Sequence, residues 1–238
     1  MQALVLCGGR GTRAYPLTAD LPKPLLPVAG EPLLRHLVQL LVGQGITDVV
    51  LAAGFRCDAV AEFAAALPAA WSVRVVDTGL DTGTGGRIDR ALPVLGERFL
   101  VTYGDGLGNV DVPALVRRHE QHGRGATVTT VPLPSQYGTL ELDGEDAVVG
   151  FQEKPVLRDH WINAGFLVLD RVVWEQHAAD DLERQVLPAL ATAGRLAAYR
   201  HDGFWMSMDT LKDQQELDVL ALRRPPPWAV PAAVPGRA

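Results

Sequence analysis

The chain has little cysteine, no excess of positive charge and no long apolar run, and each shortage excludes something. Its 238 residues contain two cysteines, Cys7 and Cys57, both beside apolar runs. They read as small core hydrophobes in a reducing compartment, not as a disulfide or a metal pair. Net charge is −6 and the isoelectric point is near 5.5, which excludes the basic face of a nucleic-acid-binding protein. No apolar stretch reaches the roughly 20 residues of a membrane span. The start, Met1-Gln2-Ala3-Leu4, lacks a basic leader segment, so no signal peptide and a cytoplasmic location are expected. There is no internal repeat. With 47% hydrophobic residues and mean hydropathy near zero, the chain can bury the core of one α/β domain.

The informative stretch is Leu6-Cys7-Gly8-Gly9-Arg10-Gly11-Thr12-Arg13, closed by Leu21-Pro22-Lys23-Pro24-Leu25-Leu26-Pro27-Val28. It follows an apolar run, Ala3 to Leu6, that reads as a buried strand. The glycines remove side chains where backbone must bend and a ligand must come close. Bare N–H groups with fixed cations, at the carboxyl end of a first strand, suit a nucleoside triphosphate. A P-loop needs Lys-Ser or Lys-Thr after its glycines, and none follows. A dinucleotide fingerprint needs a third glycine where Ala14 stands, and Tyr15-Pro16 does not continue as a helix. A plain turn does not explain Arg10, Arg13 and Lys23 together.

Strands are expected at Ala3–Leu6, Asp48–Ala53, Trp71–Val76 and Phe99–Tyr103, alternating with helices over Leu33–Val42, Asp58–Leu67 and Arg87–Leu95, the last shortened at Pro93. This alternation predicts an α/β fold: a doubly wound, mostly parallel, Rossmann-like sheet flanked by helices. The second half is mixed. A helix is expected over Pro113–His122, a strand over Ala126–Val131 and a hairpin-like pair over Gly138–Leu142 and Ala147–Glu153. A further strand at Phe166–Leu169 and helices over Leu182–Ala193 and Thr210–Leu222 complete the pattern. Residues 1–222 are expected to form one domain. The proline-rich tail from Arg223 has little to pack and is expected to be disordered.

Asp105 ends the fourth strand between two glycines and points into a ligand crevice, or serves a turn. Asp209 precedes the last helix and either joins a site or caps that helix. Glu153-Lys154-Pro155 places a carboxylate and an ammonium at a strand end. Neighbouring strand residues face opposite sides, so both reach one ligand only where the strand ends, as Pro155 makes it do. Asp77-Thr78-Gly79 and Thr84-Gly85-Gly86-Arg87 form a glycine-rich loop whose backbone can approach the edge of a base.

Gly8 to Arg13 with Pro22-Lys23-Pro24 resembles the nucleotide-binding signature of the sugar-1-phosphate nucleotidyltransferases, and the resemblance runs from residue 3 to about 222. Asp77-Thr78-Gly79, Thr84 to Arg87, Tyr103-Gly104-Asp105-Gly106, Gly150 to Pro155, Trp161 to Phe166, Gly203-Phe204-Trp205 and Met208 to Leu211 are most similar to the glucose-1-phosphate cytidylyltransferases within that family. The first loop, Tyr15-Pro16-Leu17-Thr18, follows the broad family pattern more than that subset, and Asp89 stands where a basic residue is usual.

The resemblance implies condensation of a nucleoside triphosphate with a hexose 1-phosphate, releasing pyrophosphate. The best-matching pair is CTP and glucose 1-phosphate. UTP, dTTP or a purine nucleotide with an unusual sugar or cyclitol phosphate, a glycosyltransferase, and a non-catalytic relative are the alternatives. It implies catalytic roles for Arg13 and Lys23, and Mg²⁺ held by Asp105 and Asp209. It implies nucleotide contacts from Leu6, Gly8, Gly9, Gly11, Thr12, Thr84, Gly85, Gly86, Arg87 and Gly104. The sugar phosphate falls to Tyr137, Gly138, Glu153, Lys154, Asn163 and Gly165, with the Trp161 ring in the core. It implies a homo-oligomer with no nucleic-acid or membrane partner.

Overall fold

The computed structural model describes residues 1–230. In chain order the elements are β1 (Gln2–Leu6), β2 (Pro27–Val28), β3 (Glu31–Pro32), α1 (Leu33–Gly43), β4 (Asp48–Ala53), α2 (Cys57–Ala65), β5 (Ser72–Asp77), α3 (Thr84–Ala91), β6 (Arg98–Tyr103) and β7 (Gly106–Gly108). Then follow α4 (Val112–His122), β8 (Ala126–Pro134), β9 (Thr139–Leu142), β10 (Val148–Gln152), β11 (Val156–Asp170) and α5 (Arg171–His177). A π-helical turn (Leu182–Val186), α6 (Leu187–Thr192), β12 (Leu196–Arg200), β13 (Trp205–Ser207) and α7 (Leu211–Ala221) complete the chain.

Seven strands form the central sheet in the order β12-β8-β11-β6-β1-β4-β5. Strands β6, β1, β4 and β5 are mutually parallel, as the alternation of strands and helices predicts. The long β11 is antiparallel to both neighbours, β6 and β8, so the sheet is mostly rather than wholly parallel. Its buried strands are apolar on both faces. Ala3 and Val5 join Val49, Leu51 and Leu100 in a core covered by α1, α2, α4 and α7. Leu4 and Leu6 join Val50, Phe99 and Val101 in a second core under α3, α5, the π turn and α6. The period-two alternation of side chains thus supplies both layers from the same strands.

Several details depart from the expected elements. Helix α3 begins at Thr84, three residues earlier than the helical pattern suggests. Its first amides are capped from outside: Gly85 and Gly86 N–H donate to the Asp180 carbonyl at 2.8 and 3.1 Å, and Gly83 N–H donates to Asp180 Oδ1 at 3.1 Å. A cap supplied almost 100 residues away leaves no local signal. It ends at Ala91, and Pro93 lies in a 3₁₀ turn over Leu92–Val94. The helix expected over Leu182–Ala193 is split into the π turn and α6, with Pro188 in the first turn of α6, where its missing N–H interrupts the ladder. Strands β7, β12 and β13 carry no strong pattern and exist because neighbours offer edges: β12 pairs parallel to β8, and β13 pairs antiparallel to β7. The hairpin of β9 and β10 forms as expected.

The tail departs most. Trp228 is buried, edge-on to His36 at 5.6 Å between ring centroids and tilted against Phe204 at 6.1 Å. Packing therefore continues past Arg223, where disorder is expected. The rest of the tail, 231–238, lies outside the described residues. No helix among the described residues is long and apolar enough to cross a membrane.

Candidate active site

The carboxyl ends of β1 and β6 open onto a cavity of about 700 Å³. The turn after β1 forms one wall. Gly9 has nothing within 4 Å of a would-be Cβ, so its backbone is open to a ligand. Gly11 has φ near +64°, a region that disfavours other residues, and a Cβ there would sit 2.9 Å from Lys23 Cβ. The glycine therefore does two jobs: it turns the chain and admits the lysine. Leu6, Gly8, Gly9, Gly11, Thr12, Arg13 and Lys23 all line the cavity.

At the cavity's base, Lys23 is 5% exposed. Its Nζ donates to Asp105 Oδ2 at 2.6 Å and to Asp209 Oδ1 at 2.7 Å, two strong charge-assisted bonds. Arg13 Nη2 adds an ion pair to Asp209 Oδ1 at 3.1 Å. Three segments remote in sequence thus meet on one carboxylate pair. Asp209 is not the helix cap. Thr210 caps α7, in a reciprocal capping box with Asp213, and Asp209 is left free for the site. Burial raises the Asp209 carboxyl, but Lys23, Ser207 and Arg13 outweigh it and hold the group below its ordinary value, hence ionised.

A direct nucleotide contact is expected of Arg87. This residue lines the cavity but is buried, and its guanidinium donates to protein oxygens. Nη1 reaches Thr78 Oγ1 at 2.6 Å and the Gly79 carbonyl at 2.8 Å, while Nη2 reaches the carbonyls of Gly8 at 3.1 Å and Leu80 at 3.2 Å. Thr84 lines the cavity with its hydroxyl committed to Glu183 Oε2 at 2.6 Å. Gly85 and Gly86 do not line it. A Cβ on Gly85 would overlap the Ala179 carbonyl, and one on Gly86 would crowd Asp180 Oδ1, so these glycines admit the 179–180 segment rather than a base. Gly104 is likewise taken up by packing, against Pro24 and Cys7.

On the sugar side, Asn163 alone of the expected residues lines the cavity. Its Oδ1 accepts from Gly165 N–H at 2.8 Å and its Nδ2 lies 3.5 Å from the Tyr103 hydroxyl. Gly165, at φ +86°, makes room for the Tyr103 ring, 2.5 Å from a would-be Cβ, and not for a ligand. Tyr137, Gly138, Glu153 and Lys154 sit on and beside the β9–β10 hairpin, outside the cavity lining. Lys154, at φ +47°, makes the turn into β11, and its Nζ is 3.8 Å from Glu153 Oε1 in an exposed pair. Gly138 is pressed against the Phe151 ring, 2.6 Å from a would-be Cβ. Trp161 is half-buried with Arg200 stacked over its ring at 4.9 Å, so it is not a core residue as expected.

Sequence reasoning missed Tyr103, Asp181, Glu183, Trp205 and Ser207, which also line the cavity. The Tyr103 hydroxyl donates to Glu183 Oε1, and burial together with this carboxylate pushes the phenol's pKa well up. Ser207 Oγ donates to Asp209 Oδ2 at 3.0 Å, and Trp205 Nε1 donates to the Ala164 carbonyl at 2.7 Å. Carboxylates in an anion site give no local signal. Tyr103 had one, since it adjoins the Gly104-Asp105 motif.

A glycine turn, two cations and a carboxylate pair on the carboxyl edge of a doubly wound sheet define a protein that handles a phosphorylated nucleotide. A family model described as nucleotidyl transferase matches residues 2–213, and the chain belongs to that family. It is 34% identical to the probable glucose-1-phosphate cytidylyltransferase of Bacillus subtilis over 97% of this chain and 100% of that one. Against the glucose-1-phosphate cytidylyltransferase of Salmonella typhi it is also 34% identical, over 96% and 98%. Mannose-1-phosphate guanyltransferase beta-A of Xenopus laevis is 34% identical over 90% of this chain and 62% of its own length. Among solved structures, HddC from Yersinia pseudotuberculosis complexed with GMP-PN superposes with a TM-score of 0.71 at 22% identity, covering 92% of this chain and 98% of that one. At that identity the superposition shows a shared fold.

Proposed function

We propose that the protein joins CTP to glucose 1-phosphate, giving CDP-glucose and pyrophosphate. The observation that carries this reading is Lys23, buried between Asp105 and Asp209 under the glycine turn. The cytidylyltransferase relatives, aligned over nearly the whole chain, support the choice of base and sugar.

The chemistry needs charge control. A phosphate oxygen of the sugar phosphate attacks the α-phosphorus in line; that P–O bond forms as the bond to the β-phosphate oxygen breaks. The attacking oxygen is already anionic, so no general base is needed. Two like unit charges 4 Å apart at an effective dielectric near 20 repel by about 4 kcal/mol. Lys23 supplies a fixed positive charge at the cavity base, held in place by its two carboxylates. Arg13, three-quarters exposed at the mouth, would meet the leaving phosphates.

The donor set fits Mg²⁺. Asp105 and Asp209 converge on one cation already, and both are hard oxygen donors. Among the described residues there is no group of three or more histidine, cysteine or acidic side chains that could hold a metal, so phosphate oxygens and water would complete the shell. Bound there, Mg²⁺ would neutralise phosphate charge. Lys154 and Glu153, outside the cavity lining, would approach the sugar phosphate from the end of the β9–β10 hairpin. A cytoplasmic location and a symmetric oligomer belong to the same proposal.

The test is pyrophosphate release with CTP, UTP, dTTP, GTP and ATP against a panel of sugar 1-phosphates. Best turnover with another nucleotide overturns the base assignment. No pyrophosphate with any pair overturns the reaction.

A further inference from the structure

The buried Arg87 guanidinium joins the carboxyl ends of three adjacent parallel strands. It bonds the Gly8 carbonyl after β1, the Ala53 carbonyl at the end of β4 at 3.4 Å, and Thr78, Gly79 and Leu80 after β5. The sequence around it is cut to fit. A Cβ on Gly8 would overlap the guanidinium, and a Cβ on Gly54 would lie 2.6 Å from Nη1. Thr78 is fully buried, donating to the Ala53 carbonyl at 2.5 Å while accepting from Arg87.

Every one of these partners is a neutral oxygen. The Cys7 thiol, whose field also acts on Arg87, offers no counter-charge, because burial pushes its pKa up to about 12 and keeps it protonated; Asp180 and Asp77 act on the guanidinium through space, without a hydrogen bond or ion pair to it. Lys23, by contrast, has two carboxylates. A buried cation without a carboxylate partner is costly, and a polyanion entering the adjoining cavity reduces that cost. The Gly8 carbonyl matters as much. Held by Phe55 N–H at 2.9 Å and by Arg87 Nη2 at 3.1 Å, it is turned into the protein, and the turn from Gly9 to Thr12 follows from that double anchor.

We infer that Arg87 is a positioning residue for the nucleoside triphosphate: together with the Phe55 N–H it anchors the Gly8 carbonyl so that the glycine turn receives the nucleotide, and it brings a cation with no bonded carboxylate beside the cavity. This rests on the proposed reaction for the identity of the nucleotide. It assigns Arg87 to the nucleotide and not to the sugar phosphate, whose expected contacts lie across the cavity at Asn163 and beyond it on the hairpin.

Two variants perturb the same contact from opposite sides. Arg87→Lys keeps the charge and loses the planar fork. Gly8→Ala leaves Arg87 intact and pushes a methyl group against it. Folding is checked by circular dichroism. Binding of CTP, or of whichever nucleotide the wild-type protein prefers, is measured by titration calorimetry without sugar phosphate. Both variants are expected to bind the nucleotide about tenfold or more weakly, with KM for glucose 1-phosphate nearly unchanged.

If one variant fails to fold, the other decides. Wild-type nucleotide affinity in a folded variant, or equal weakening toward nucleotide and sugar phosphate, overturns the inference. Unfolding of both variants also overturns it, since Arg87 would then serve the fold. Wild-type protein that binds nucleotide yet releases no pyrophosphate overturns the proposed reaction and leaves the role of Arg87 standing. Wild-type protein that binds no nucleotide overturns both.

Discussion

Replacing Lys23 by methionine tests the site at its centre. The lysine side chain is 7% exposed, and its two acceptors, Asp105 and Asp209, are 30% and 26% exposed. Methionine fills a similar volume but removes the ammonium. The bonds at 2.6 and 2.7 Å disappear, and two carboxylates are left facing each other in a partly dry pocket, with Arg13 pairing only with Asp209. Removing one partner of a largely buried ion pair costs about 3–5 kcal/mol, and solvent at the carboxylates places this case near the low end, about 3 kcal/mol. For a chain of this size that is a fall in Tm of about 6–12 °C.

Activity should fall further than stability suggests. The charge that offsets phosphate repulsion goes with the ammonium, and loss of one such group costs about 10²–10³ in kcat. Added Mg²⁺ gives the sharper sign. With the ammonium gone, a divalent cation meets two uncompensated carboxylates, so Mg²⁺ should raise the Tm of Lys23→Met more than that of the wild-type protein. Calorimetry with and without Mg²⁺, beside a pyrophosphate-release assay, reads all three effects. A variant as stable and as active as wild type, or one that gains nothing from Mg²⁺, would refute the reasoning.

Three further outcomes are expected. Burial lowers the pKa of His119, which Asp170 only partly offsets, and burial with the neighbouring His119 lowers that of His122. The folded protein therefore binds fewer protons at these rings than the unfolded chain. Their contribution is complete above the ordinary histidine value of about 6.5 and lost as pH falls below it; a Tm flat from pH 7 to 5 would contradict this, and His119→Gln should flatten the slope. Gly165→Ala should cost about 2–5 kcal/mol in denaturant unfolding, since φ is +86° and the new methyl meets the Tyr103 ring. Trp228→Ala should cost about 3–5 kcal/mol, because the ring fills space between His36 and Phe204; unchanged stability would contradict the packing of this ring.

The parallel core was legible in the sequence because its strands are short apolar runs separated by amphipathic helices, and both signals are local. The glycine turn with Arg13, Lys23, Asp105 and Asp209 was legible for a related reason. Each residue sits at a strand end or helix start, and in a doubly wound sheet those points converge on one edge. The strands β7, β12 and β13 were not legible, since short edge segments take their conformation from a partner. Nor was the start of α3, whose cap comes from Asp180.

What the sequence by itself determined is the parallel core of the sheet, the family and the charged residues that meet under the glycine turn. Only the tertiary structure decided how those charges are used. It made Lys23 a bridge between Asp105 and Asp209 instead of a free cation. It turned Arg87 from an expected ligand contact into a buried anchor, put Gly85, Gly86 and Gly165 to the service of packing, and drew Glu183 and Tyr103 into the wall. The reason is that residue type and spacing report what a side chain can do, whereas burial and the nearest oxygen decide what it does. For Arg87 the nearest oxygens belong to Thr78 and Gly79, and Gly8, 79 positions earlier in the chain, supplies another.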